Sequence, residues 1–126
     1  MIQQTATQMV AAAKASLANL TPDQVETEIA NGALLVDVRE DAERAQGMIP
    51  GSLHAVRGML EFLADPASPM HLPALDPKRP TIVHCASGAR SALAAATLRQ
   101  LGYTEIAHLD GGMKAWMAAG KPVVKP

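Results

Sequence analysis

The chain is short of three things that limit what it does. A single cysteine, Cys85, stands among 126 residues, so neither an internal disulfide framework nor a multi-cysteine zinc site is available. Aromatic residues make up only 2% of the chain, one each of Trp, Tyr and Phe, so Ala, Leu, Val and Met must fill the core. Neither sign of charge dominates. Eleven Lys and Arg against twelve Asp and Glu give a net charge of -1, which argues against nucleic acid as a partner and leaves room for one local anion site. No apolar run approaches the roughly 18 residues needed to cross a bilayer. The N-terminal run Met1-Ile2-Gln3-Gln4-Thr5 lacks the basic start of a signal peptide. No membrane partner is expected, and a soluble protein of the reducing cytoplasm is the default expectation.

What is there reads as alternating helices and strands. Met9, Val10, Ala13, Leu17 and Leu20 recur at helical spacing and predict a helix over about residues 5 to 20. Thr21-Pro22-Asp23-Gln24 is a capping box with proline at the first helical position. It opens a helix that buries Val25 and Ile29 and stops at Gly32. Ala33–Val38 is a buried strand, Arg39–Gly51 a polar loop and Ser52–Val56 a second strand. Met59–Ala64 is a short helix. Five prolines between Pro66 and Pro80 mark an extended connection. Strand 81–84, an Ala/Leu-rich helix over 91–101, strand 105–109, a Gly111-Gly112 turn and a helix over 113–119 complete the pattern. This alternation predicts an α/β domain with a mainly parallel sheet covered by helices on both faces. Residues 1–20 form an N-terminal helical extension, suited to packing or a dimer surface, and 21–126 form the main domain.

Open parallel sheets bind ligands beyond the carboxyl ends of their strands, and Cys85 stands at such an end. It is followed by Ala86-Ser87-Gly88-Ala89-Arg90-Ser91 and then by a helix. Amides of a tight strand-to-helix turn converge on the loop centre and favour an anion. Gly88 lets the backbone close around a ligand, and Arg90 adds a permanent charge with a fork of donors. A cysteine held there has a depressed pKa and reacts as the thiolate.

Cys85-x-x-Gly88-x-Arg90-Ser91 resembles the active-site loop of single-domain rhodaneses, the thiosulfate-type sulfurtransferases. The segments Asp37-Val38-Arg39, Gly47-x-Ile49-Pro50-Gly51-Ser52 and Leu109-Asp110-Gly111-Gly112-Met113-Lys114-Ala115-Trp116, with Gly120-Lys121-Pro122-Val123 behind the last, resemble the family's other signatures in the right order. The resemblance covers about residues 21 to 123 and implies a parallel five-stranded sheet between helices. It departs at two places: Arg44 follows Glu43 where the family usually has an aromatic, and Met48 replaces a common His.

The resemblance implies a two-step sulfur relay. The Cys85 thiolate takes the outer sulfur of a small anionic donor such as thiosulfate, and a thiol or protein cysteine then accepts it from the Cys85 persulfide. No cofactor or metal is expected. The amides from Ala86 to Ser91 are expected to stabilise the persulfide anion. Arg90 attracts the donor or ties the loop to a neighbouring acid, Ser91 caps the helix and donates to the persulfide, and Asp37 and Arg39 brace the loop. Strand alternation points His84 away from Cys85. His54, His71 and His108 show no metal-ligand spacing and read as packed or solvated. Trp116, Met113 and Met117 read as core. Two alternatives stand beside the relay: a phosphatase or arsenate-reductase-like use of the same loop, which resembles a Cys and an Arg separated by five residues rather than the four found here, and a non-catalytic redox-sensing or interaction module.

Overall fold

The computed structural model describes residues 3–126. Met1 and Ile2 of the N-terminal run discussed above lie outside the described residues. Five strands form one wholly parallel sheet: β1 (Ala18–Leu20), β2 (Leu34–Asp37), β3 (Leu53–His54), β4 (Thr81–His84) and β5 (Ile106–Leu109), in the order β1-β5-β4-β2-β3. The helices are α1 (Ala6–Ala15), α2 (Pro22–Ala30), α3 (Asp41–Ala45), α4 (Leu60–Ala64), α5 (Ala89–Gln100) and α6 (Gly112–Ala118), with a 3-10 turn (Arg57–Met59) leading into α4. Among the described residues no helix is long and apolar enough to cross a membrane.

The inner strands β2, β4 and β5 are buried along their whole length. They are mainly apolar, with Asp37, Thr81, His84 and His108 as buried polar members, and need helices on both sides. One face packs Leu34, Val36 and Val83 against Ala92, Ala95 and Leu98 of α5, with Ala13 of α1 and Leu60 of α4 at its margins. The other packs Leu35, Ile82 and Leu109 against Val25 of α2 and Met113 and Trp116 of α6. With so few aromatics, polar tips are anchored individually. Tyr103 donates to Ala64 O at 2.8 Å and the Trp116 indole to Pro122 O at 2.8 Å.

Several elements differ from the sequence expectation. The first helix ends at Ala15 rather than near residue 20. Ser16 Oγ donates to Ala13 O, and the Asn19 amide nitrogen donates to Lys14 O and Leu17 O. These side chains draw off the last helical carbonyls and turn the chain into β1. The stretch expected to be a plain loop over 39–51 contains α3, which buries no residue and so shows no apolar stripe. The strand expected over 52–56 pairs only at Leu53 and His54. Met117, read as core, and Met9, read as part of the first helix's apolar stripe, are 58% and 47% exposed. Met48 forms an antiparallel bridge with Val124, which pins the C-terminal segment beside α3.

Candidate functional site

β4 delivers Cys85 to the carboxyl edge of the sheet, and the chain then turns through Gly88 into α5. Gly88 has φ +106°, and a Cβ there would stand 3.2 Å from the Gly111 nitrogen, so both conformation and space call for glycine. The cysteine is 1% exposed, but its sulfur faces donors. Gly88 N–H donates to Sγ at 3.1 Å and Ser91 N–H at 3.4 Å, and Ser91 Oγ lies 3.5 Å from Sγ. Burial by itself pushes the thiol pKa up. Hydrogen bonds offered to the thiolate by the Ser91 hydroxyl and by the N–H groups of Ser91, Gly88 and Ser87 outweigh it, and the net direction is below the ordinary cysteine value. Ala86, Ala89 and Arg90 donate no hydrogen bond to the thiol.

The loop faces its amides inward because its carbonyls are held from behind. Met113 N–H donates to Cys85 O at 2.8 Å and Lys114 N–H to Ala86 O at 3.0 Å, both from the first turn of α6, whose donors have no intrahelical partner. The approach is so close that a Cβ on Gly112 would stand 2.6 Å from Cys85 O and 2.7 Å from Ala86 C and O. The Gly-Gly pair reads as an ordinary turn in the sequence. The signal of its role is its place just past β5, on the same sheet edge as Cys85.

Arg90 points outward. Its guanidinium forms a two-pronged ion pair with Glu43 of α3, at 2.7 and 2.8 Å, which takes the Glu43 pKa down to about 2 and raises that of Arg90. Asp37 and Arg39 lie one layer further in. Arg39 grips Asp37 at 3.0 and 2.9 Å and donates to Gly47 O at 2.8 Å. Arg44 also reaches Asp37, at 3.1 Å, and Ser52 Oγ and O, at 3.0 and 2.9 Å. Where the resemblance calls for an aromatic, Arg44 is therefore a second cation on one buried carboxylate. Burial would raise the Asp37 pKa, but the Arg39 hydrogen bonds and the neighbouring charges reverse the direction. The cluster fixes residues 37–52 and through them α3, which carries the Glu43 clamp on Arg90.

His84 lies on the face away from the cysteine. Nδ1 is 3.2 Å from Cys85 O, while Nε2 is buried without a hydrogen bond, 3.7 Å from Asp37 Oδ2. Burial holds its pKa down. His108, read from sequence as packed or solvated, is fully buried and belongs to the site: Nδ1 is 3.0 Å from Ser91 Oγ and Nε2 is 2.7 Å from Asn19 Oδ1. Lys14 of α1 reaches the loop rim, its Nζ 3.8 Å from where a Cβ on Gly88 would sit and 3.5 Å from Asp110. Nothing in the helical periodicity read over residues 5 to 20 marked Lys14 or Asn19, because their partners lie about 90 residues away. Among the described residues no group of three or more His, Cys, Asp or Glu is placed to hold a metal ion.

Residues 21–119 match the family model of the rhodanese-like domain. A sulfurtransferase of Allochromatium vinosum is 40% identical over 93 residues, covering 74% of this chain and 79% of its own. A thiosulfate sulfurtransferase GlpE of Ectopseudomonas mendocina is 35% identical over 99 residues, covering 79% and 84%. Among solved structures, a protein of Rhodopseudomonas palustris described as of unknown function and a possible tyrosine phosphatase superposes with a TM-score of 0.91 at 37% identity, over 98% of this chain and 97% of that one.

Proposed function

The chain belongs to the family of rhodanese-like sulfurtransferases, and from that premise we propose that it moves sulfane sulfur from thiosulfate, or a persulfide donor, to a thiol acceptor through a persulfide on Cys85. The observation that carries this reading is the sulfur itself, held against the N–H groups of Gly88 and Ser91 with the Ser91 hydroxyl beside it. In the first step the thiolate attacks the outer sulfur of thiosulfate. A new S–S bond forms, the old one breaks, and sulfite leaves with the bonding pair. In the second step the acceptor attacks the outer persulfide sulfur and the Cys85 thiolate leaves. Dividing one transfer into two through a covalent intermediate is nucleophilic catalysis, and amides aimed at the developing anion supply its electrostatic part. The reaction written this way uses no cofactor. Arg90, partly exposed beside the loop and clamped by Glu43, adds to the positive field that draws an anionic donor.

The likeness to a possible tyrosine phosphatase brings in phosphoryl transfer as a second reading. A tetrahedral dianion needs a cation facing it inside the cradle. Both prongs of Arg90 instead engage Glu43, and Cys85 is 1% exposed in a tight loop. The geometry favours a single sulfur atom.

The test is mass spectrometry after thiosulfate treatment, together with thiocyanate production when cyanide is the acceptor. The intact protein gains the mass of one sulfur on Cys85 and turns over cyanide, and Cys85→Ser does neither. Hydrolysis of an aryl phosphate that disappears in Cys85→Ser, with no sulfur gained, reverses the assignment.

A further inference from the structure

The hydrogen bonds do not end at the sulfur. They continue from Cys85 Sγ to Ser91 Oγ, on to His108 Nδ1, and from His108 Nε2 to Asn19 Oδ1, at 3.5, 3.0 and 2.7 Å. The last link sets the direction of the whole chain. Asn19 spends both amide protons on Lys14 O and Leu17 O, at 2.9 and 3.0 Å, so its remaining polar atom is the carbonyl oxygen, which only accepts. His108 Nε2 must therefore carry the hydrogen. In the neutral ring Nδ1 is then a lone pair, and Ser91 O–H donates to it. Its other hydrogen-bond acceptor, Gly88 O, is further away at 3.3 Å. Ser91 Oγ is left with a lone pair turned toward the thiol.

We propose that His108, acting through Ser91, is the proton acceptor for the Cys85 thiol, and that Asn19, from strand β1 outside the family-matched region, is the residue that holds it in the accepting tautomer. When the thiol ionises, the S–H bond breaks and its proton bonds to Ser91 Oγ as the original hydroxyl proton moves to His108 Nδ1. The thiolate then accepts a hydrogen bond from Ser91, and the imidazolium donates from Nδ1 to Ser91 and from Nε2 to Asn19. No other reactant is needed. The charged groups facing His108 are Asp110, next along the chain after β5, and Lys14 of α1. Cys85 lies beyond Ser91, and the β4 residue paired with His108, Val83, is apolar. Burial, the largest influence, together with Lys14, lowers the His108 pKa against the pull of Asp110, so the ring is neutral while the thiol holds its proton, and the imidazolium is stabilised by the thiolate formed beyond Ser91. The inference deepens the function proposed above, since it names the group that prepares the nucleophile for that same site.

The test is the pH profile of Cys85 alkylation by iodoacetamide, which reads the thiolate without any sulfur transfer. His108→Gln keeps a polar side chain but cannot take up the proton. It raises the thiol pKa by about one unit, cutting the alkylation rate at neutral pH about tenfold, while the rate at alkaline pH, with the thiol fully ionised, stays at the wild-type value. Ser91→Ala severs the relay, so adding His108→Gln to it produces no further shift. An unchanged profile in His108→Gln, or independent effects in the double variant, overturns the proposal. The tautomer is checked in the unaltered protein by nitrogen-detected NMR: hydrogen on Nε2 and not on Nδ1 at neutral pH is expected, and the reverse also overturns it. Intact coupling in a protein that takes no sulfur from thiosulfate would remove the sulfur-transfer reading alone. Sulfur loading without coupling would remove the relay alone.

Discussion

At the scale of single residues, the site is a matter of which atoms face the sulfur and which face away. Two carbonyls, those of Cys85 and Ala86, are drawn backward by amides of α6, and this lets Gly88 N–H and Ser91 N–H turn forward. Gly112 makes that possible by having no side chain in a space where a Cβ would overlap the backbone at 2.6 Å, in a conformation with φ +60°. Gly112→Ala is accordingly expected to cost about 1–3 kcal/mol of stability and to raise the Cys85 pKa by pushing the loop off its hydrogen bonds. Urea unfolding measures the first effect and pH-dependent alkylation the second. Cys85, Gly88, Arg90 and Ser91 were legible in the sequence because they are contiguous and chemically distinctive. His108 was not. A histidine in an apolar strand reads as a packed residue until the partner on another element is known.

At the scale of elements, each secondary structure does a local job that places a distant group. α3 is five residues long and buries none of them, so the packing of an apolar face cannot account for it. It stands because Arg39 and Arg44 tie the segment around Asp37, and because Glu43 meets Arg90. Asp37 is 0% exposed, and removing its charge leaves two guanidinium groups without their shared partner. Asp37→Asn is therefore expected to destabilise the fold by about 3–5 kcal/mol, read as a lowered urea midpoint, and to loosen α3 first, seen as faster amide exchange over residues 41–45 than in the sheet. The Glu43–Arg90 pair is partly exposed, so its worth lies in where it holds Arg90 more than in stability. At the start of the chain, Asn19 ends α1, joins β1 and orients His108. One side chain therefore settles a helix boundary and a tautomer together, and for the same reason the expected continuous helix gives way to a helix and an edge strand.

At the scale of the whole molecule, the carboxylates and histidines whose pKa values the fold shifts act in one direction. Asp37 and Glu43, and the buried histidines His84 and His108, all have folded-state pKa values below their ordinary ones, with Glu43 down to about 2. In each case the unfolded chain binds more protons, so stability rises with pH through their range. On acidification the histidine contribution is lost first, below about pH 6.5, and the carboxylates follow as pH falls through the ordinary carboxylate range toward the Glu43 value. The expected curve of unfolding free energy against pH falls steadily from neutral to acid, without a maximum near the sequence isoelectric point of about 6.4. Urea melts at a series of pH values check it. On the alkaline side the sign repeats for Cys85, whose lowered pKa adds stability as pH rises toward the ordinary thiol value. That component is absent in Cys85→Ser.

The alternation of helix and strand, the parallel sheet it requires, the cysteine at a strand's carboxyl end and the glycine that lets the loop close all follow from the order of residues along the chain. Periodicity, capping and turn chemistry act over a few positions, and these features need no more than that. What tertiary structure alone decided is which distant groups meet there: the α6 amides behind the loop, Glu43 on Arg90, Arg44 on Asp37, and His108 with Asn19 behind Ser91. Such pairings bridge from seven residues, for Arg44 and Asp37, to 89, for His108 and Asn19, and no helical or strand periodicity encodes them. They exist because burying both faces of one sheet brings the ends of β1, β2, β4 and β5 to a single edge.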